Sequence, residues 1–334
     1  MIRLLVLALA VRLLVFGLLP RRPILENAPF WETLNIASSL ANHRSFSSPF
    51  AVSSGPTAWM PPLYPALLAF GFEVAGTRSH AAAVIMWVIQ ALFSALTCFP
   101  LFFLAQRAFG RSVAIRACLG WALFPYAILM PLRLIWDTML SALLLSWLVY
   151  FELAVAAKER SQSGGRSWDT VGGAALTKTA LVSAMPFCLL FPLPSTGLRR
   201  VWRSSLVARA YAFAVAAPWL IRDRLVLGTF VPIRSNFGEE FWLGNHQGST
   251  GRVAPGMTPT ESGRELERYR TMGEMEYVAH RQREALRVVT GNPGAYIRFI
   301  GYRVLYGWAT EQEDARLFMV YAALGLGSLP ALSG

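Results

Sequence analysis

Charged side chains are scarce in this chain: 15% of its 334 residues are Asp, Glu, Lys or Arg, against roughly 25% in a soluble domain. With 54% hydrophobic residues, that excludes an ordinary water-soluble globule. Cysteine is scarce too. Cys98, Cys118 and Cys188 all lie in apolar segments and no Cys-x-x-Cys occurs, so packing is the better reading than metal or redox work. His43, His80, His246 and His280 are scattered without ligand spacing, so no metal site is read. No cofactor is named by any pattern, and assistance by a divalent ion is left open.

Apolar runs long enough for a hydrocarbon core of about 30 Å recur along the chain. The expected fold is an all-α polytopic membrane protein of about eight transmembrane helices. Interfacial helices occupy its first outer loop, and a mostly helical extracytoplasmic region follows later. The net charge of +12 sits mostly in short loops, as the positive-inside rule requires, and calls for no nucleic acid. Arg107, Arg111 and Arg116 mark one cytoplasmic loop, Lys158–Trp168 another, and Arg199, Arg200 and Arg203 a third.

A signal anchor at about 2–19 then leaves 20–79 outside, with spans at about 80–105, 112–130, 137–157 and 205–222. Residues 61–76 are too short to cross and read as an interfacial helix. Residues 169–193 read as a hairpin of two short helices or a re-entrant segment, and 316–331 as a final span. The domains are thus a transmembrane core at 1–222 with its first outer loop, an extracytoplasmic region at 223–308, and a last helix at 309–334. In the outer region Ser262–Thr290 reads as one helix with Ser262 as N-cap, ended by Gly291-Asn292-Pro293-Gly294, and 296–308 as a second amphipathic stretch.

The chemistry-bearing residues gather on the outer side. The segment 29–42 reads as a helix resting on the bilayer, with Trp31, Leu34, Ala37 and Leu40 on one face and Glu32, Asn35, Ser39 and Asn42 on another. Glu32 is a candidate general base or acceptor-binding group, or else a solvated acid; Glu26 competes with it. Asp137 begins a span after a short outer turn, either as a dipole-favoured terminal acid or as a second site carboxylate near Arg133. Lys178 is the one lysine of the apolar hairpin, lining a cavity or lying at the outer surface.

Arg222 and Arg224 stand where positive-inside logic does not explain arginine. They suit a lipid phosphate, or pair locally with Asp223. The Pro-aromatic patch Thr57–Pro65 carries Trp59 and Tyr64, and Trp242-Leu243-Gly244-Asn245 carries an aromatic beside an amide. Both suit sugar stacking and hydroxyl binding, with loop packing as the alternative.

Taken in order, several motifs resemble bacterial GT-C-type membrane glycosyltransferases of the family-39, protein mannosyltransferase-like group. They are the 31–50 loop helix with Ile36-Ala37, the 55–65 segment with Pro61-Pro62-Leu63-Tyr64-Pro65, and Leu104–Gly110. Trp121–Pro125, Leu134–Asp137, Gly173–Lys178, Pro218-Trp219 with Arg222, and Trp242–Asn245 continue the series. The resemblance implies inverting transfer of a sugar from a polyprenyl-phosphate donor to a lipid, glycan or protein acceptor. It places the site on the extracytoplasmic face of a bacterial inner membrane, among membrane lipids, with the N-terminus cytoplasmic.

The resemblance also implies an acidic residue in the first outer loop that activates the acceptor. The usual acidic pair is replaced here by Ala28-Pro29-Phe30, and Glu32 is the nearest match. Chains of that group usually continue into further spans, so a shortened C-terminus is expected. A lipid-linked sugar flippase, with Arg12 and Lys178 marking a pathway, and a non-catalytic paralogue are the competing readings.

Overall fold

The computed structural model describes residues 1–18, 32–50, 52–156, 198–249 and 256–309. The described residues are helical, without strands; the one isolated bridge pairs Ser47 with Pro56. The chain divides into two compact units. Unit 1 comprises 1–28, 37–45 and 61–233; unit 2 comprises 29–36, 46–60 and 234–334.

Unit 1 contains α1 (Ile2–Leu18), α3 (Leu63–Ala75), α4 (His80–Leu96), α5 (Cys98–Phe109), α6 (Arg111–Leu123), α7 (Pro125–Arg133), α8 (Thr138–Ala156) and α9 (Leu198–Leu227). Helix α2 (Glu32–His43) contributes to both units. Two stretches, His80–Phe109 and Arg111–Leu132, are long and apolar enough to cross a membrane. The other expected spans that fall on described residues, at 2–19, 137–157 and 205–222, are helical as α1, α8 and α9. Those at 169–193 and 316–331, with Lys178 and Cys188, lie outside the described residues. Helix α3 has 13 residues, about 20 Å of rise, which agrees with its reading as a segment too short to span.

Buried polar groups lock unit 1 together, and each answers a defect in backbone pairing. Pro125 starts α7 one residue after α6 has ended and has no N–H to offer Trp121 O, which keeps only the Phe124 amide at 3.3 Å, so the last turn of α6 is short of helical donors. Arg12, fully buried in α1, supplies them: its guanidinium donates to Ala122 O at 3.1 Å and Trp121 O at 3.2 Å. A cation is also what the negative end of a helix favours. The same group donates to Ala8 O and to Ser94 Oγ, both at 2.8 Å.

Pro131 inside α7 has no N–H to offer Ala127 O, four residues earlier. The Ser94 hydroxyl donates to that carbonyl at 2.9 Å instead. Gln90 works one turn away, donating to Pro131 O at 3.2 Å and accepting from the Trp136 amide at 3.3 Å. Cys118 packs beside Cys98, with its thiol donating to the Cys98 carbonyl at 3.3 Å, and both are free and buried.

Unit 2 contains α10 (Phe237–Asn245), α11 (Gly263–Met272), α12 (Glu274–Gly291) and α13 (Pro293–Ala309). Ser262 caps α11 as expected, accepting from the Glu265 amide. The expected single helix over 262–290 is broken at Gly273, whose φ of +77° is open to glycine at little cost. Its amide closes α11 on Tyr269 O while its carbonyl opens α12. Helix α10 lies directly against α12. A Cβ on Gly238 would meet the Val278 carbonyl at 2.3 Å, so only glycine permits that approach.

The core of unit 2 is aromatic: Phe50, Trp59, Tyr269 and Tyr277 meet edge to face at centroid separations of 4.8 to 5.8 Å. Helix α2 also differs from expectation. Thr33, Leu34, Asn35, Ile36, Ala37 and Ser39 are all buried, so its polar and apolar faces are both packed rather than divided between bilayer and water.

Replacing Arg12 by Met keeps the volume but removes the side-chain donor to Ala122 O, Trp121 O and Ser94 Oγ. We expect a loss of about 3 kcal/mol or more, read as an earlier thermal unfolding of the purified protein in detergent. An unchanged melting temperature would refute the clamp.

Candidate functional site

Glu32 is the first residue of α2 and belongs to unit 2. It is largely withdrawn from water, and Thr260 donates a hydrogen bond to its Oε1 at 3.0 Å. Burial pushes its carboxyl above the ordinary range, and the nearby Glu240 adds to the rise. The α2 backbone, Thr260 and Arg234 pull the other way. The outcome is a carboxylate held ready to take a proton.

Arg234 ties this neighbourhood to the Pro-aromatic segment. It pairs with Glu240 at 3.0 Å and donates to the Trp59 carbonyl at 3.1 Å. Asn236 also donates to Glu240, at 3.1 Å.

Beneath lies Glu274, at the start of α12 and 6% exposed. Its carboxylate accepts from the Ala58 amide at 2.8 Å, from the Ser235 and Tyr269 hydroxyls at 2.7 Å each, and from the Thr57 hydroxyl. Thr57 Oγ1 in turn accepts from the Trp59 amide at 2.9 Å. Three segments distant in sequence thus converge on one carboxyl group. Burial, reinforced by Glu274, pushes the Tyr269 phenol well above its ordinary range and keeps it a donor.

A second buried group surrounds Arg281. It pairs with Glu239 at 3.2 Å and with Glu265, and donates to the Tyr277 hydroxyl at 3.2 Å. Its guanidinium lies 3.6 Å from the centre of the Trp242 ring, a cation–π contact. Burial pushes Glu239 up to about 7, outweighing the downward pull of Arg281.

The other expected site residues fall as follows. Glu26 lies outside the described residues, as does Lys178. Asp137 is in unit 1, where its carbonyl accepts the Ser141 amide at the start of α8 and it acts electrostatically on buried Tyr64. Arg133 ends α7, with its side chain outside the described set. Arg222 pairs with buried Asp223 at 2.8 Å and stacks on Trp219, while Arg224 donates to Gly228 O. Trp59 is a core residue, 4% exposed. Trp242 stacks on Arg281 and lies 4.9 Å from the His246 ring. Asn245 donates to Phe241 O at 2.7 Å and accepts from Arg303 at 3.0 Å.

The structure adds Thr260, Glu274, Arg281 and Arg303, none of which the sequence distinguishes from the other polar residues of 256–309. Among the described residues no three His, Cys, Asp or Glu side chains cluster as metal ligands would.

Residues 60–221 match the family model described as dolichyl-phosphate-mannose-protein mannosyltransferase. No curated protein and no solved structure matches the chain. The family match supports the resemblance drawn from the motifs and implies glycosyltransferase activity of the GT-C type in general, with a lipid-linked sugar donor and an acceptor. The apolar helices agree with a membrane protein. The matched stretch falls almost wholly within unit 1, so Glu32 and the unit 2 carboxylates lie outside it.

Truncating Glu274 to Ala removes the acceptor of four buried donors. We expect destabilisation of about 3 kcal/mol or more, measured by denaturation; a loss under ~0.5 kcal/mol, the range of an ordinary surface change, would contradict the convergence. Glu239 takes up a proton more readily folded than unfolded. Its contribution is therefore present in full below the unfolded value of 4.5 and lost as pH rises toward about 7. Glu239→Gln should flatten the fall of stability across that window; an unaltered slope would show that Glu239 does not titrate there.

Proposed function

We propose that this protein transfers a sugar from a polyprenyl-phosphate donor to an acceptor hydroxyl on the extracytoplasmic membrane face, with inversion at the anomeric carbon. The observation that carries this reading is the environment of Glu32, taken with the family match over 60–221. A general base works best when its pKa is brought toward the operating pH. Burial beside Glu240 moves Glu32 that way, and Thr260 orients the carboxyl through its Oε1.

The acceptor O–H gives its proton to Glu32 as its oxygen attacks the anomeric carbon. The bond from that carbon to the phosphate oxygen breaks, and the polyprenyl phosphate leaves with the electron pair. Positioning and stabilisation of the departing anion supply the remaining rate enhancement. Asp137 and Glu26 remain alternative carboxylates for the acceptor. Arg222, Arg224, Lys178 and Arg133 are candidates for the donor phosphate, and Trp59, Tyr64, Trp242 and Asn245 for the substrate. The flippase reading loses one support, because Arg12 spends its donors on the backbone carbonyls of α1 and α6 and on Ser94.

The test reconstitutes the protein in liposomes with a labelled polyprenyl-phosphate sugar and a membrane-lysate acceptor pool. Glu32→Gln should cut transfer by about 100-fold or more without lowering the melting temperature. The acid limb of the wild-type pH–rate profile should lie above the ordinary carboxylate range, with activity rising as Glu32 deprotonates. Removing the Thr260 hydroxyl, which favours the anion, should move that limb to still higher pH. Wild-type rates in Glu32→Gln would remove Glu32 from the mechanism.

A further inference from the structure

Arg303 is a cation without a carboxylate partner among the described residues. It lies on α13, half-buried, and its one hydrogen bond among the described residues runs from Nη2 to Asn245 Oδ1 at 3.0 Å. Its Nε is buried and has no acceptor among the described residues. The other buried or half-buried arginines described in unit 2, Arg234, Arg268 and Arg281, each have an acidic partner within 4 Å. Withdrawing a guanidinium from water without a counter-charge is costly.

The geometry is that of a prepared fork. A Cβ on Gly244 would lie 3.4 Å from Cζ, Nη1 and Nη2 of Arg303 alike, so the guanidinium plane faces Gly244. With its face packed and its Nε buried, the group keeps its Nη edge for a ligand. Asn245 orients that edge through Nη2, while Nη1 has no acceptor among the described residues. A planar pair of donors on one edge matches two oxygens of a phosphate.

The surroundings say what carries the phosphate. Three and six residues before Arg303 on α13 stand Ile300, 42% exposed, and Ile297, 70% exposed, along one i, i+3 row. An apolar ridge ending in an arginine that has no acidic partner among the described residues suits an amphiphile, with alkyl chain along the isoleucines and phosphate on the guanidinium.

We infer that Arg303, oriented by Asn245 and seated on Gly244, binds the phosphate of a lipid whose chain lies against Ile297 and Ile300. The identification of that lipid as the polyprenyl-phosphate donor rests on the transferase reading above; the anion site itself does not. Arg303 thereby joins the candidates for holding the departing phosphate.

The full chain in zwitterionic nanodiscs is titrated with sugar-free polyprenyl phosphate, the parent polyprenol and inorganic phosphate. Polyprenyl phosphate should bind the wild type and weaken by about 10- to 100-fold in Arg303→Gln, the loss of a charge-assisted contact. Polyprenol affinity should be equal in the two proteins, and Arg303→Lys should recover part of the phosphate binding. Inorganic phosphate should compete only weakly; if it binds as tightly as the lipid, the role of the isoleucine ridge is overturned.

Equal affinity of wild type and Arg303→Gln for polyprenyl phosphate overturns the site. So does an equal loss for phosphate and alcohol, which would make Arg303 only a brace on the end of α10. Asn245→Asp supplies a second variant, placing an anion against the fork; retained phosphate binding in a folded Asn245→Asp protein also overturns it. Phosphate binding that depends on Arg303 in a protein incapable of sugar transfer would defeat the transferase reading and leave the subsite standing. Transfer that requires Glu32 but is indifferent to Arg303 would do the reverse.

Discussion

Unit 2 depends on one buried carboxylate accepting more hydrogen bonds than any local structure could bring to it. Glu274 gathers the hydroxyl of Thr57, the amide of Ala58, the hydroxyl of Ser235 and the phenol of Tyr269. A carboxylate so deeply withdrawn is tolerable only when its lone pairs are filled. That requirement dictates the positions of the Pro-aromatic segment, the 234–236 loop and the end of α11 together. The aromatic packing of Phe50, Trp59, Tyr269 and Tyr277 follows from those positions. So does the reach of Arg234 to the Trp59 carbonyl.

The same logic separates the acids and bases of this chain by role. Glu274 and Arg281 have their capacity filled by protein partners and serve architecture. Arg12 does likewise in unit 1, where it stands in for the helical donors that the α6–α7 break removes. Glu32 and Arg303 differ, each retaining capacity on the protein's account. Glu32 has one hydroxyl partner and a carboxyl raised by burial; Arg303 has one amide partner and no counter-ion among the described residues. A charged group short of partners is where a substrate is best accommodated.

Much of the secondary structure was legible because it rests on local rules. The apolar stretches at 80–109 and 111–132, the short helix before Gly76, the Ser262 cap and the stop at Gly291-Asn292-Pro293 each follow from length, periodicity or capping chemistry. The break at Gly273 was not legible. A glycine within a helical pattern is ordinarily tolerated, and here it is the demand of Glu274 for distant donors that goes with the turn. The setting of Trp59 was not legible for a related reason: an aromatic in a proline-rich loop suits either a binding platform or packing, and only the fold shows its ring against Tyr269.

The sequence by itself determined that the chain is helical and membrane-like, and its motifs and family match identify the chemistry to look for, because hydropathy, charge bias and motif order are local properties. Only the tertiary structure decided which carboxylate is buried beside a threonine and which is saturated by four donors. It alone decided which arginine pairs with an acid and which has only an amide partner among the described residues. Those outcomes depend on contacts between residues hundreds of positions apart, such as Glu32 with Thr260 and Thr57 with Glu274. No spacing along the chain encodes the desolvation that such contacts impose.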